Sequence, residues 1–312
     1  MHIMDNYLYD LLFSKDVNEI LKFYDNMQTP IDVVKFLKNI PDEPKRNILT
    51  VEGDTDIVIV VPTLDFNRNY AKHCRQIFKG QQMIFLESKD KIPHKFFNYG
   101  KTLNIGLNYA LRYKPKWVIF CSDDVYKIDE FKKLKYQLQS NESNCDMLFT
   151  RKPHVYHSVP LQVCYNTDLL KRYHKFKGGL IKKHQDIMDK FNSELAVVSF
   201  NGLNLLQISI YKSLFFKTMG SFYNCGSFGI LNPSFIKKRK KIFDETYLNG
   251  YDDIDLSIDI CIKRKNYSFV DFKLGDFIGK TLGTGPERKS RDLINYIYFN
   301  YKNQKYFDEK YT

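Results

Sequence analysis

What is scarce in this 312-residue chain narrows its class before any motif is read. Only 10 Pro, beside hydrophobic residues at 43% and aromatics at 15%, exclude a disordered or low-complexity chain. The six Cys, at 74, 121, 145, 164, 225 and 261, form no CxxC pair. That argues against a zinc ribbon or a disulfide scaffold and for reduced thiols in a cytoplasmic protein. No run of about 18 apolar residues occurs, and MHIMDNYLYD has no charged segment leading into an apolar one. Neither a membrane span nor a secretory signal peptide is expected. The seven His form no HExxH arrangement, and His154-x-x-His157 reads as a polar loop rather than a metal site.

What is abundant is positive charge. The 48 Lys+Arg against 36 Asp+Glu leave a net charge of +12, unevenly spread. Residues 1–150 hold 21 basic and 20 acidic side chains, 151–312 hold 27 and 16, and 151–230 alone hold 11 and 4. Nucleic acid, an anionic membrane surface and phosphorylated substrates are the candidate partners, with plain solubility charge as the competing reading.

Residues 1–50 read as short amphipathic helices carrying Leu8, Leu11 and Leu12, then Ile20, Leu21 and Tyr24, then Ile31, Val34 and Leu37. They are expected to form a helical extension, closed by the turn Pro41 to Pro44. The run Ile57 to Val61 looks like a strand buried on both faces of a parallel sheet. A helical stretch near 66–79, a strand Met83–Leu86, a helix within 98–113 and a strand Trp117–Phe120 follow. That βαβαβ order predicts a nucleotide-binding half-sheet with its ligand at the carboxyl strand ends. The second half is less regular, with strands expected at 195–200, 206–211 and 267–272. Beyond them lie a Gly-rich stretch from Gly220 to Gly229, an acidic helix start at Tyr251–Ile262 and a Lys/Tyr-rich helical tail at 288–310. The whole divides into 1–50, a domain at 51–287 with halves at about 56–150 and 151–287, and the tail 288–312.

Ser122-Asp123-Asp124 closes the third strand, where two crowded carboxylates suit a hard divalent cation, Mg²⁺ or Mn²⁺, shared with phosphate oxygens. Tyr251-Asp252-Asp253-Ile254-Asp255 opens a helix, where acidic residues are favourable for structural reasons alone; three carboxylates in four positions also offer a general base. Cys121 reads as a small buried filler.

Together, Val58-Ile59-Val60-Val61-Pro62-Thr63-Leu64-Asp65, Asn98 to Leu107, Ser122-Asp123-Asp124 and Phe243-Asp244-Glu245 with Tyr251 to Leu256 resemble the family 2 glycosyltransferases of GT-A fold over about residues 56–285. The resemblance implies an α/β GT-A fold, a Rossmann-like donor half fused to an acceptor half. It implies inverting transfer from a nucleoside diphosphate sugar, UDP favoured, to a glycan, lipid or protein hydroxyl. By position, Pro62, Thr63 and Asp65 would hold the donor nucleoside and Glu87 would read the base. Asn104 and Gly106 would form a small polar turn, with Lys101 near phosphate. Asp123 and Asp124 would meet metal and ribose, in a register left open by Cys121 at the family's usual first Asp. Asp253 would be the catalytic base and Asp252 an acceptor-binding carboxylate.

Where many members carry a His near the end of the domain, this chain offers Lys280, a point charge for diphosphate rather than a metal ligand. Weaker metal dependence is therefore expected. The Gly220–Gly229 stretch is expected to shape the acceptor pocket, because no strand and helix bracket it. The basic second half suggests an acidic or lipid-linked acceptor, with peripheral contact at a membrane surface. The alternatives are a nucleotidyltransferase, which lacks its Gly-rich signature here, and a basic nucleic-acid-binding protein, which lacks any recognised motif; nucleic acid is not the expected partner.

Overall fold

The computed structural model describes residues 3–27, 29–41, 45–89, 97–141, 144–150, 227–264, 266–277, 291, 294–295, 297–299 and 301–302. It also describes the backbone of 162–166, 194–200 and 203–209. Helices α1 (Ile3–Leu12), α2 (Val17–Asp25) and α3 (Pro30–Lys38) come first, and α2 and α3 begin at ordinary caps. Asp16 accepts from Asn18 N–H, and Thr29 forms a capping box with Asp32 ahead of Pro30. Their apolar faces, including Tyr9, Leu12, Phe23, Val33 and Leu37, share one buried cluster with the central sheet. The extension therefore packs on the main body. One correction applies at its end: Asn47–Val51 is a strand, β1, at the edge of that sheet and not part of a helical segment.

The chain is a mixed α/β protein. Its seven-stranded sheet has the order β1, β3 (Gln81–Glu87), β2 (Asp54–Thr63), β4 (Trp117–Cys121), β10 (Phe228–Leu231), β6 (Met147–Thr150) and β11 (Tyr267–Val270). Strands β2 (Asp54–Thr63), β3 (Gln81–Glu87) and β4 (Trp117–Cys121) are mutually parallel in the order β3-β2-β4. Helices α4 (Asn69–Ile77) and α5 (Tyr99–Ala110) make the crossovers. Alternate strand residues go to opposite faces. Val58, Val60, Ile84, Leu86 and Phe120 meet α5 and the N-terminal helices, while Ile57, Ile59, Val61, Phe85 and Ile119 meet α4 and α6 (Phe131–Gln139). Both faces are covered, which is why the strands read as unbroken apolar runs.

Past β4 the chain forms β5 (Val125–Lys127) and, after α6, β6 (Met147–Thr150). Strands β7 (Gln162–Asn166), β8 (Glu194–Phe200) and β9 (Leu203–Ser209) form a separate antiparallel sheet in the order β7-β9-β8. Strand β10 (Phe228–Leu231) returns to the main sheet, antiparallel between β4 and β6. The expected loop around Gly229 is thus partly a strand: Gly229 faces Phe120, and a Cβ there would lie 2.4 Å from the Phe120 ring. Helices α7 (Pro233–Arg239) and α8 (Asp252–Ser257), the latter running into a π-helical turn at Ile258–Arg264, precede β11 (Tyr267–Val270), parallel to β6. Strand β12 (Leu274–Asp276) pairs with β5, and the described residues among 291–302 are helical. Among the described residues no helix is long and apolar enough to cross a membrane.

Candidate functional site

The carboxyl ends of β2, β3 and β4 are adjacent. Strand β2 stays in register with β3 to Thr63↔Glu87, whereas its register with β4 ends at Val60↔Phe120. Pro62, which has no N–H for a ladder, sits where the β4 pairing stops. Beyond it side chains take over: Thr63 Oγ donates to Asp123 Oδ2 at 2.6 Å. Glu87 Oε1 accepts the Phe66 N–H at 2.9 Å, and Asn47 of β1 reaches Glu87 Oε2 at 3.2 Å. Asp65 closes a turn by accepting Asn67 N–H at 2.8 Å. Thr63, Asp65, Glu87 and Asp123 thus form one braced polar row at the sheet edge. Glu87 already supports the 65–67 loop through one oxygen and the edge strand through the other.

Asp123 is 4% exposed. Burial, with the neighbouring Asp124 charge adding to it, pushes its carboxyl up to about 6 against the pull of Thr63 and Arg68. Arg68 was not among the residues expected from the sequence. Its Nε lies 3.5 Å from Asp123 Oδ2, its guanidinium packs 4.7 Å from the Tyr70 ring centroid, and its buried Nη1 makes no hydrogen bond. Ser122 Oγ, next to Asp123 in the chain, is also buried without a partner. The Asp124 carbonyl accepts the Phe277 N–H at 2.9 Å, which extends the β12–β5 pairing by one residue to the acidic pair. Cys121 is fully buried and its thiol pushed well up by that burial, as a neutral filler should be.

A divalent cation needs open oxygen ligands. Asp123 does not fit: it is buried, hydrogen-bonded to Thr63 and faced by a guanidinium. Among the described residues no three His, Cys, Asp or Glu side chains are placed to hold a metal. Asp124, partly exposed, is the carboxylate of the pair whose position suits a cation brought in with phosphate. Of the expected pair, whose ligand register the sequence leaves open, Asp124 is the partly exposed carboxylate and Asp123 the buried one.

The second acidic cluster is built differently. Asn104, on α5, spends its whole amide on the loop before α8. Oδ1 accepts from Ile242 and Phe243 N–H at 2.9 and 3.0 Å, and Nδ2 donates to the Phe243 carbonyl and Glu245 Oε1 at 2.8 and 3.1 Å. Asn295 likewise grips both backbone groups of Leu248, at 2.8 and 2.9 Å. Lys302 binds Asp244 at 2.6 Å and Asp255 at 2.7 Å, and Tyr298 OH donates to Asp244 at 2.9 Å. These clamps hold Asn249 and Tyr251 in left-handed backbone at φ 59° and 68°, just ahead of the helix. Asp252 is then buried against the first turn of α5: a Cβ on Gly100 would lie 3.2 Å from Asp252 Oδ2, so glycine permits the approach. Asp253 is half-buried, its Oδ1 accepting the Ile254 N–H. Phe243, packed edge-on against Phe120 of β4 at 5.3 Å, ties this loop to the sheet behind the first cluster.

Two expectations change in kind. Asn104 and Gly106 do not form a polar turn but lie inside α5. Asn104 is a buried brace with no hydrogen-bonding capacity left for a ligand, and Gly106 is where α5 touches the sheet, since a Cβ there would sit 2.4 Å from Val60 Cγ1. Lys101 lines a cavity of about 500 Å³ with Asn98, Arg239, Lys241 and Lys302. That cavity lies beside α3 and α8, and Asp123, Thr63 and Glu87 are not on its walls. Lys280, His154 and His157 fall outside the described residues.

No protein-family model and no curated protein matches the chain.

Proposed function

We propose that the chain is an inverting glycosyltransferase of GT-A type, moving a sugar from a nucleoside diphosphate sugar, UDP favoured, to an acceptor hydroxyl. The carrying observation is the braced row Thr63, Asp65, Glu87 and Asp123 at the carboxyl ends of three parallel strands, where α/β sheets of this kind take their ligands. The clamped loop before α8, tied to β4 through the Phe120–Phe243 contact, carries a second acidic element, in keeping with an enzyme of two substrates.

In this reading Asp253 takes the acceptor proton as the acceptor oxygen bonds to the anomeric carbon. The bond from that carbon to the diphosphate oxygen breaks on the opposite side, inverting the centre, and the nucleoside diphosphate leaves with the electron pair. Asp253 suits the task because, of the first two carboxylates of α8, it is the one still open to solvent. Asp252 fixes the helix start against α5. A divalent cation bound with the diphosphate would rest on Asp124 and offset the leaving charge. The excess of basic residues between 151 and 230 favours an acidic acceptor, a lipid-linked phosphate at a membrane surface among them. The buried thiols Cys74, Cys121 and Cys145 suit a reducing cytoplasm.

Thermal-shift screening with UDP-, GDP- and dTDP-sugars, beside a single-stranded oligonucleotide, tests the assignment. Stabilisation by one nucleotide sugar is the expected result, and stabilisation by the oligonucleotide alone would overturn it.

A further inference from the structure

Arg68 is placed as a ligand-binding group rather than as a structural ion pair. It stands at the start of α4, its backbone N–H bound to the Asp65 carbonyl at 3.1 Å, and its side chain folds back into the strand ends with 16% exposure. Its contact with Asp123 is one long approach, Nε to Oδ2 at 3.5 Å, and not the forked pairing at about 2.7–2.9 Å that satisfies both partners. Nη1 is buried with no acceptor. Leaving a guanidinium N–H desolvated and unpaired is costly, and an incoming anion removes that cost. Tyr70 covers one side of the guanidinium, and a row of rings continues from Tyr70 to Phe277 at 5.7 Å and on to Tyr126 at 5.0 Å. Tyr126 lies flat over Gly275, where a Cβ would come within 2.0 Å of its ring, so the row is held in place. Tyr126 and Phe277 keep 37% and 40% exposure, so the row flanks the Arg68 guanidinium on the solvent side, where an anion can approach.

We propose that Arg68 grips the diphosphate of the donor, so that phosphate binding at the end of β4 runs chiefly through a protein-borne cation rather than through a divalent ion. The inference rests on the donor reading above. It also gives Asp123 a part as the positioning residue that holds the guanidinium toward the strand ends.

The test is equilibrium binding of UDP, GDP, dTDP and inorganic pyrophosphate to the full chain, in EDTA and in Mn²⁺, for the wild type, Arg68→Lys and Arg68→Gln, with circular dichroism as the check on folding. Wild-type affinity for UDP in EDTA should stay within about threefold of that in Mn²⁺. Arg68→Gln should weaken binding by about 10- to 100-fold in both, and Arg68→Lys should recover part of the loss. The EDTA comparison on the wild type stands even where a variant fails to fold. UDP binding that requires Mn²⁺, or that Arg68→Gln leaves unchanged, overturns the role of Arg68 and leaves the donor reading intact. No binding of UDP, GDP, dTDP or pyrophosphate overturns both. Arg68-dependent pyrophosphate binding with no nucleotide preference supports the phosphate grip and removes the nucleotide reading.

Discussion

Asp123 and Asp244 are both carboxylates withdrawn from solvent, and burial prevails at one and loses at the other. At Asp123 the available cation is 3.5 Å away and shared with an aromatic ring, and the carboxyl rises to about 6. At Asp244 burial pushes upward too, but the hydrogen bond and charge of Lys302, with the Thr246 N–H and Tyr298 OH, outweigh it and leave the carboxyl below its ordinary value. Lys302, touching Asp255 as well, is held above its own ordinary value despite partial burial. Burial in turn pushes the Tyr298 phenol up to about 12, so it stays a donor to Asp244 throughout the working range. The difference lies in the counter-charge and hydrogen bonds each carboxylate is given. The loop before α8 spends its ions on holding its own shape, whereas at the end of β4 a cation and a carboxylate are incompletely matched.

The largest expected effect lies at Asp253. Asp253→Asn should lower transfer by about 10²- to 10⁴-fold while UDP affinity stays within about threefold, measured by steady-state transfer and calorimetry. Comparable losses in both would move Asp253 from chemistry to architecture.

Next is the brace beneath it. Asn104→Ala strips partners from two buried N–H groups and a carbonyl, and should cost about 3 kcal/mol in urea unfolding, with UDP affinity of the folded protein nearly unchanged. A selective loss of nucleotide binding would return Asn104 to the ligand site.

The two carboxylates should also titrate with opposite sign. Asp123 binds its proton more tightly folded than unfolded, so its charge becomes a burden as pH rises from about 4 through 6. Asp123→Asn should therefore gain on the wild type across that window, by up to about 3 kcal/mol at pH 7. A flat difference would mean that Arg68 pairs the charge more fully than its distance implies.

Asp244 behaves the other way: its contribution is present above the ordinary carboxylate range and is lost as pH falls below it. Lys302→Met should accordingly cost about 1–2 kcal/mol at pH 7 and progressively less as pH falls through the lowered Asp244 range, followed by thermal unfolding across the same pH series.

Much of the fold was legible because its signal is local. The runs Ile57 to Val61, Met83 to Leu86 and Trp117 to Phe120 announced strands covered on both faces, and Leu103 and Leu107 announced the helix between two of them. Strand β1 was missed because most of its residues are exposed at an edge, and β10 because its central Gly229 is there to fit Phe120, a distant partner. The same limit misplaced Asn104 and Gly106: a short polar residue and a glycine near a sheet edge look alike whether they meet a ligand or a neighbouring segment. Arg68 stood unmarked in the polar stretch Asp65 to Tyr70 until Asp123 was brought beside it.

By itself the sequence determined the strands, their shared carboxyl edge and the acidic residues stationed there, since apolar runs and the polar residues that end them are properties of adjacent positions. Only the tertiary structure decided what each carboxylate does. Pairing Lys302 with Asp244 and Asp255, setting Arg68 at arm's length from Asp123, and burying one Asp of each cluster more deeply than its neighbour join residues far apart in the chain. The strength of a charge is set by how much water and which counter-charge the fold leaves beside it.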